Sequence, residues 1–208
     1  MHRIRPSFVL ATVLLIALSS LAPAQSALIP RSALFGNPER SAPEISADGT
    51  LLAYLAPDQG VLNVWVRTLG KTDDRVVTND RKRGIRNFVW QYDSKNILYA
   101  QDKDGDENWH VYQTNLASKQ TKDLTPFEKS RADLLSFEPG HPDTVLIQSN
   151  KRDAKVFDVY RMNLKTGEMT LDTQNPGDVQ GWTADHDLQI RAAQVGSWGW
   201  LRAFRAGR

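Results

Sequence analysis

The stretch Ile45-Ser46-Ala47-Asp48-Gly49 contains the pattern that decides the fold, an apolar residue followed three positions later by Asp or Gly. The pattern recurs at spacings of 45, 47 and 45 residues: Ile45 with Asp48, Trp90 with Asp93, Phe137 with Gly140, and Trp182 with Asp185. Two further sets of residues recur at nearly the same spacing. One is an aromatic residue with Leu four positions later: Trp65 with Leu69, Tyr112 with Leu116, and Tyr160 with Leu164. The other is a Thr that ends a short stretch: Thr78, Thr125 and Thr173. Three markers with one period of about 40 to 50 residues indicate the blades of a β-propeller.

Each repeat contains the signals of a four-stranded antiparallel sheet. In the first repeat, Asp48-Gly49 supplies the positive φ that a tight hairpin turn needs. The strands predicted there, after an inner strand that ends at Ile45, are 51–55, 61–68 and 75–78. The second and third repeats follow the same order, and a fourth begins near Val179. The sequence therefore predicts an all-β fold, a partial β-propeller of about three and a half four-stranded antiparallel blades with WD40- or TolB-like repeats.

The first 24 residues have the three parts of a secretory signal peptide. Arg3 and Arg5 give a positive start, residues 8–21 form an apolar run, and Ala22-Pro23-Ala24 matches a cleavage site. A retained membrane anchor is the alternative, but the run is shorter than the roughly 20 residues that cross a bilayer. We therefore expect a periplasmic or secreted bacterial protein with no membrane contact after cleavage.

The chain divides into four predicted segments. They are a signal peptide 1–24, an N-terminal lead-in segment 25–42 with a short helix near 30–35, a partial β-propeller 43–194, and an irregular tail 195–208. The tail has no acidic residue and is rich in Trp, Arg, Gly and Ala, which is typical of translation in a shifted reading frame. A natural flexible tail is the alternative.

Composition excludes several classes of function. The 208 residues include no Cys, so the chain has no disulfide, no thiolate nucleophile and no Cys-based zinc site. Once Arg3 and Arg5 are removed with the signal peptide, 24 basic residues face 24 acidic ones. The one basic cluster, Arg81-Lys82-Arg83 with Arg86, is predicted to be a solvated loop between repeats, because nucleic acid requires a continuous basic face. No nucleic-acid partner is expected.

The acidic stretch 102–108 resembles a calcium loop only superficially. Counted from Asp102, the positions that an EF-hand reserves for Gly and for the final Glu hold Glu107 and Gln113. We therefore predict a polar hairpin loop between the second and third strands of the second blade. A different kind of cation site, or a contact with a partner domain, is the alternative.

No complete catalytic set is recognisable. Gly196-Ser197-Trp198-Gly199 approaches the G-x-S-x-G elbow of serine hydrolases, but Val195 replaces its first Gly and no Asp or His follows. His110, His141 and His186 lie in different repeats without metal-ligand spacing. We therefore predict no catalytic, cofactor-binding or metal-binding residue in this chain. The repeated aromatic residues are predicted to pack between blades, since equivalent positions in every repeat are what core packing requires.

Several stretches resemble one family of bacterial enzymes. They are Ile29-Pro30-Arg31-Ser32-Ala33-Leu34-Phe35-Gly36-Asn37-Pro38, Pro43-Glu44-Ile45-Ser46-Ala47-Asp48-Gly49, Leu62-Asn63-Val64-Trp65-Val66, residues 101–112, and Phe157-Asp158-Val159-Tyr160-Arg161. Together they look like the N-terminal region of prolyl oligopeptidase-family serine peptidases, of the dipeptidyl aminopeptidase or acylaminoacyl peptidase type. The resemblance covers roughly residues 28–194 and is more specific than the S-x-D-G blade turn that TolB-like propellers share.

The resemblance implies a two-part enzyme that cleaves short peptides. In that family a propeller of seven or eight blades caps an α/β-hydrolase domain, which carries Ser, Asp and His, and restricts entry to it. This chain stops within its fourth predicted blade, so no catalytic residue of the family has a position here. We therefore expect an N-terminal propeller fragment whose partners are the hydrolase domain and, for the whole enzyme, short peptides. We also expect it to be inactive alone. A non-enzymatic, TolB-like binding protein of the cell envelope is the alternative.

Overall fold

The computed structural model describes residues 28–36, 39–195 and 200–203. The chain separates into two units, residues 1–37 and 38–208. The first unit contains a short helix, α1 (Arg31–Phe35), which confirms the helix predicted near residues 30–35. The predicted signal peptide lies outside the described residues. Within the described ranges, no helix has the length and apolar character needed to cross a membrane.

The second unit consists of antiparallel strands in four sheets. The strands of the first two sheets are β1 (Ser41–Ile45), β2 (Leu51–Asp58), β3 (Val61–Thr68), β4 (Arg75–Val76), β5 (Val89–Trp90), β6 (Asn96–Gln101), β7 (His110–Asn115) and β8 (Thr121–Asp123). Those of the last two are β9 (Ala132–Phe137), β10 (Thr144–Ser149), β11 (Asp158–Asn163), β12 (Met169–Thr173), β13 (Val179–Ala184), β14 (Ile190–Val195) and β15 (Trp200–Ala203).

Each sheet is a simple meander in which consecutive strands are neighbours. Three sheets have four strands, and the fourth, β13–β15, has three described strands. The fold is therefore a partial β-propeller of three four-stranded blades and part of another, as the sequence predicted. The inner strands expected from the repeat of Ile45 are also confirmed, because its equivalents Trp90, Phe137 and Trp182 lie in the first strands of blades two, three and four.

The outer strands of the first two blades end before their repeated threonines, which makes the first shorter than predicted, because a threonine side chain takes over the pairing there. In the first blade, Thr78 lies beyond β4, and its hydroxyl accepts a 2.9 Å hydrogen bond from the Val64 amide of β3. In the second blade, the Thr125 hydroxyl accepts an equivalent 2.9 Å bond from the Val111 amide. The repeated threonines thus continue the sheet through their side chains, which keeps a buried N–H satisfied where the strand ends.

The segment 195–208, predicted to be irregular, contains a strand. The backbone of β15 pairs antiparallel with β14, with Leu201 opposite Gln194 and Trp200 opposite Val195. Composition alone gave no alternating pattern there, but an adjacent strand edge offers hydrogen bonds to almost any extended segment. Residues 196–199 and 204–208 lie outside the described ranges.

Three hydrophobic clusters fill the gaps between successive blades. The cluster between blades one and two includes Ala53, Val64, Val66, Ile85, Trp90, Ile97 and Leu116. The cluster between blades two and three includes Leu98, Val111, Leu124, Val145, Ile147, Met162 and Leu164. The cluster between blades three and four includes Leu146, Val159, Val179, Trp182, Leu188 and Ala193. Because the side chains of a strand alternate between the two faces of its sheet, blades two and three each contribute to two clusters. The hydrophobic core is therefore a series of interfaces between blades.

The repeated apolar positions identify which face of the first blade is open. Leu116 and Leu164 are 8% and 5% exposed, and each packs against the preceding blade. Their first-blade equivalent, Leu69, is 41% exposed, and Ile45, the equivalent of Trp90, is 60% exposed. Among the described residues, no preceding blade covers these two side chains. The packing predicted for Trp90 and its equivalents is therefore confirmed in blades two to four and is missing on the outer face of blade one.

Candidate functional site

The meander topology places two kinds of loop at opposite edges of each blade. The connectors between blades and the hairpins between second and third strands form one edge, here called the connector edge: residues 59–60, 77–88, 102–109, 124–131, 150–157 and 174–178. The remaining hairpins form the other edge, here called the turn edge: residues 46–50, 69–74, 91–95, 116–120, 138–143, 164–168 and 185–189. Most of the buried charges and unusual aromatic contacts lie at the connector edge.

The acidic stretch 102–108 is a hairpin loop at the connector edge, as predicted. The Asp102 side chain is almost fully buried, and Arg83 lies beside it with its Nε 3.4 Å from Oδ1. Lys82 Nζ lies 2.9 Å from Asp104 Oδ1. Asp106 accepts hydrogen bonds from Asn108, and these hold the pKa of its carboxyl below the usual value. The carboxylates are thus used in ion pairs and turn hydrogen bonds.

The basic cluster 81–86 is a loop between repeats, as predicted, but three of its four cations, Arg81, Lys82 and Arg83, are in ion pairs rather than simply solvated. Arg81 Nη1 lies 2.7 Å from Asp58 Oδ2, in addition to the Arg83 and Lys82 pairs. The connector therefore bridges the hairpin of blade one and the acidic loop of blade two. Within the described residues, no group of three His, Cys, Asp or Glu side chains is placed to hold a metal ion.

A cavity of about 460 Å³ lies between blades one and two under the acidic loop. Its lining includes Asp80, Asp102 and two stacked tyrosines, Tyr99 and Tyr112, whose ring centroids are 5.5 Å apart. Burial, with a smaller contribution from the charge of Asp123, raises the pKa of Tyr112 to about 12. Both phenols therefore stay protonated at neutral pH and act as hydrogen-bonding groups, not as bases.

The third blade carries a buried ion pair at the same edge. Arg152 holds the fully buried Asp158 with two contacts, Nε to Oδ2 at 2.5 Å and Nη2 to Oδ1 at 2.9 Å. The Asn175 amide donates a further 2.8 Å bond to Asp158 Oδ1. Burial alone would raise the pKa of Asp158, but the hydrogen bonds from Arg152 and Asn175 outweigh it and leave the pKa below its usual value. The pair ties the 150–157 hairpin to the connector that leads to blade four.

Lys151 lies between two aromatic rings beside this pair. Its Nζ is 4.3 Å from the ring centroid of Phe127 and 4.3 Å from that of Tyr160. Burial lowers the pKa of the lysine, whereas the faces of the two rings attract its charged form. This contact could not be predicted from the sequence, because no spacing rule brings a Phe of a connector next to a Lys of the following hairpin.

The histidines are dispersed, as predicted. His110 Nδ1 lies 2.7 Å from Asp123 Oδ2, and His186 Nδ1 lies 2.9 Å from Glu138 Oε2 on a different blade. Neither pair is accompanied by a Ser or Thr nucleophile among the hydrogen bonds of the described residues. Ser197, the weak candidate for an elbow, lies outside the described ranges. The ion pairs and aromatic contacts of the connector edge are suited to binding and to holding the loops in place. In the described part of the chain, no nucleophile, general base and oxyanion-stabilising donor lie together.

Sequence comparison relates the chain to peptidases. Dipeptidyl aminopeptidase BIII of Pseudoxanthomonas mexicana is 44% identical over 168 residues, which are 80% of this chain and 24% of that protein. Dipeptidyl peptidase family member 6 of Caenorhabditis elegans is 32% identical over 173 residues, 80% of this chain and 23% of that protein. The chain thus spans about a quarter of the length of these relatives. No protein-family profile matches it.

Solved structures with similar folds are propeller proteins of low sequence identity. An oligogalacturonate lyase in complex with manganese superposes with a TM-score of 0.57 at 11% identity, over 73% of this chain and 46% of the lyase. TolB from Acinetobacter baumannii gives 0.51 at 17% identity, over 79% of this chain and 43% of TolB. Puromycin hydrolase gives 0.52 at 14% identity, over 75% of this chain and 25% of the hydrolase.

These likenesses show the fold alone, whereas the two sequence relatives show the family. All but the first of the stretches that resembled prolyl oligopeptidase-family peptidases fall within blades whose order the structure confirms. Over the residues that it spans, the chain belongs to the N-terminal propeller region of that serine peptidase family, of the dipeptidyl aminopeptidase or acylaminoacyl peptidase type.

Proposed function

We propose that this chain is the propeller part of an exported serine peptidase that acts on short peptides. In this proposal the propeller limits access to a separate α/β-hydrolase domain, and the residues described here perform no bond cleavage themselves. The observation that carries the proposal is the 44% identity to a dipeptidyl aminopeptidase over 80% of the chain. Identity at this level over most of four blades supports a shared role for the region.

The packing of the blades supports a passive, rigid role. Apolar residues fill all three gaps between the described blades, and salt bridges such as Arg81–Asp58 and Arg152–Asp158 fasten the connector edge. Blades packed in this way resist local unfolding, because separating two of them exposes a whole hydrophobic cluster at once. A rigid propeller of this kind is suited to excluding folded proteins from a catalytic chamber.

The proposal is tested by the gene and by activity together. We expect the DNA downstream of codon 194, read in all three frames, to encode further S-x-D-G blades and a G-x-S-x-G segment. A polypeptide that includes this continuation should release dipeptides from reporter substrates and lose this activity when the elbow Ser is replaced by Ala. An unrelated gene directly downstream would contradict the proposal and would favour a TolB-like binding protein.

Export is a separate part of the proposal and has its own test. The features of residues 1–24 predict that they direct a fused alkaline phosphatase to the periplasm, where that enzyme becomes active. Substitution of Arg3 and Arg5 by Glu should reduce export, because the positive start is needed for insertion in the correct orientation. Retention of active peptidase in the cytoplasm would refute export without affecting the assignment to a peptidase.

A further inference from the structure

We propose that a cleft at the turn edge between blades one and two binds a small organic carboxylate with an apolar body. The cleft has a volume of about 420 Å³, within the range of ligand pockets. Its walls combine apolar side chains with cations: Leu51, Leu116, Ala117, Arg75, Lys95 and Lys119. The lining includes no Asp or Glu. This inference does not depend on the proposed peptidase function.

Hydrogen bonds fix the two turns that carry the lysines. The Leu116 amide donates a 2.9 Å bond to the Lys95 carbonyl, which joins the turn before β6 to the turn after β7. Asn115 Oδ1 accepts bonds from the Ala117 amide at 3.1 Å and the Ser118 amide at 3.0 Å. Lys119 then adopts a left-handed φ of 56°, with its amide bonded to the Asn115 carbonyl at 2.8 Å. The backbone of the cleft is therefore formed before any ligand arrives.

Hydrogen bonds and one long ion pair occupy the carboxylates of the neighbouring turns, and Lys95 and Lys119 pair with neither of them. Asp93 Oδ1 accepts the Lys95 amide at 2.8 Å, and its Oδ2 accepts Asn96 Nδ2 at 2.6 Å. Asp73 is bound to Thr68, whose hydrogen bonds lower the pKa of that carboxyl. Asp73 also forms an ion pair with Arg75, in which Oδ2 lies 4.0 Å from Nη1. The carboxylates of Asp93 and Asp73 thus accept hydrogen bonds from residues close to them in the chain.

Lys95 and Lys119 take part in none of the ion pairs found among the described residues. These two lysines at one concave apolar surface, with Arg75 beside them at the outer limit of its ion pair with Asp73, create a positive potential that favours an anion. Leu51, Leu116 and Ala117 offer contact to carbon atoms next to that anion. The combination selects a carboxylate attached to a small aliphatic or aromatic group over a bare inorganic ion.

The test uses the full chain and three probes in binding titrations followed by NMR. N-acetyl-L-leucine carries the required carboxylate, N-acetyl-L-leucinamide has the same body without charge, and inorganic phosphate has charge without the body. We expect the acid to bind at least tenfold more tightly than the amide and than phosphate, with affinity falling as salt is raised. Equal binding of acid and amide would overturn the proposal. Phosphate binding as tight as that of the acid would overturn the role of the apolar wall.

Variants locate the site and separate charge from folding. Lys95→Gln combined with Lys119→Gln should weaken binding of N-acetyl-L-leucine at least fivefold, and Ala117→Glu, which adds a carboxylate at the exposed rim, should abolish it. Lys71→Gln, a matched change on the exposed turn of blade one, should have no effect. All variants should keep the circular dichroism spectrum of the parent. Unchanged affinity in the double variant would show that the acid binds elsewhere and would refute the assignment.

Discussion

A pair of matched leucine truncations tests the proposed pattern of blade packing. Leu116 and Leu69 occupy the same repeat position, and in both the amide donates a 2.9 Å bond to the preceding turn, at Lys95 and Thr50 respectively. Their surroundings differ, since Leu116 is buried against blade one and Leu69 is on its open face. Leu116→Ala removes a buried side chain and leaves a cavity between blades, which costs about 3 kcal/mol of unfolding free energy, within the range of ~2–5 for such sites.

Leu69→Ala should cost less. The side chain is already 41% exposed, so only part of its transfer free energy is lost and no closed cavity forms. Scaling the ~1.5–3 kcal/mol for full burial of a Leu by the buried fraction leaves about 1–2 kcal/mol, with no added cavity cost. Urea unfolding followed by tryptophan fluorescence measures both variants against the parent, with Leu164→Ala as a second buried control. Equal destabilisation by Leu69→Ala and Leu116→Ala would show that another element covers blade one and would refute the open face.

Three further outcomes are expected. The polypeptide of 208 residues should hydrolyse no dipeptidyl or acyl-peptide reporter and should resist a fluorophosphonate probe; labelling at Ser197 would contradict this. Asp158→Asn should lower the urea midpoint at neutral pH. It should also flatten the loss of stability below about pH 4, because the folded pKa of Asp158 is lowered and its contribution disappears as pH falls through that pKa. The pKa of His186, raised by its hydrogen bond to Glu138, should return toward its ordinary value in Glu138→Gln; NMR titration measures the change, and an unchanged pKa would refute the contact.

Most of the fold could be predicted because it depends on local signals that repeat. Strand β3 has the predicted limits, and the inner strands of blades two to four fall where the apolar-x-x-Asp register placed them. The length of β4 was overestimated because the sequence does not show that Thr78 continues the ladder with a hydroxyl, as Thr125 also does beyond β8. The third member of that register differs, since Thr173 lies within β12.

The candidate sites depend on contacts between segments far apart in sequence, and these could not be predicted. Arg83 meets Asp102 only because a connector of blade one passes over a hairpin of blade two. Lys151 lies between Phe127 and Tyr160 because a connector, a hairpin loop and strand β11 meet at one edge. The sequence shows which residues are charged, but the pairing of those charges depends on the angle between blades, which no local pattern encodes.

The exposed face of blade one bears on how the described blades would be completed. In stacked repeat arrays, the terminal face that meets water is usually polar, because it needs no partner. Blade one instead presents Ile45 and Leu69, at positions whose equivalents in later blades are buried. A face of this kind predicts association or binding of a hydrophobic dye by the 208-residue polypeptide, and we expect Ile45→Glu with Leu69→Glu to reduce both. If the double variant instead loses cooperative unfolding, Ile45 and Leu69 are already packed against another part of the polypeptide. The hydrophobic core would then be closed by contacts that a partial propeller does not predict.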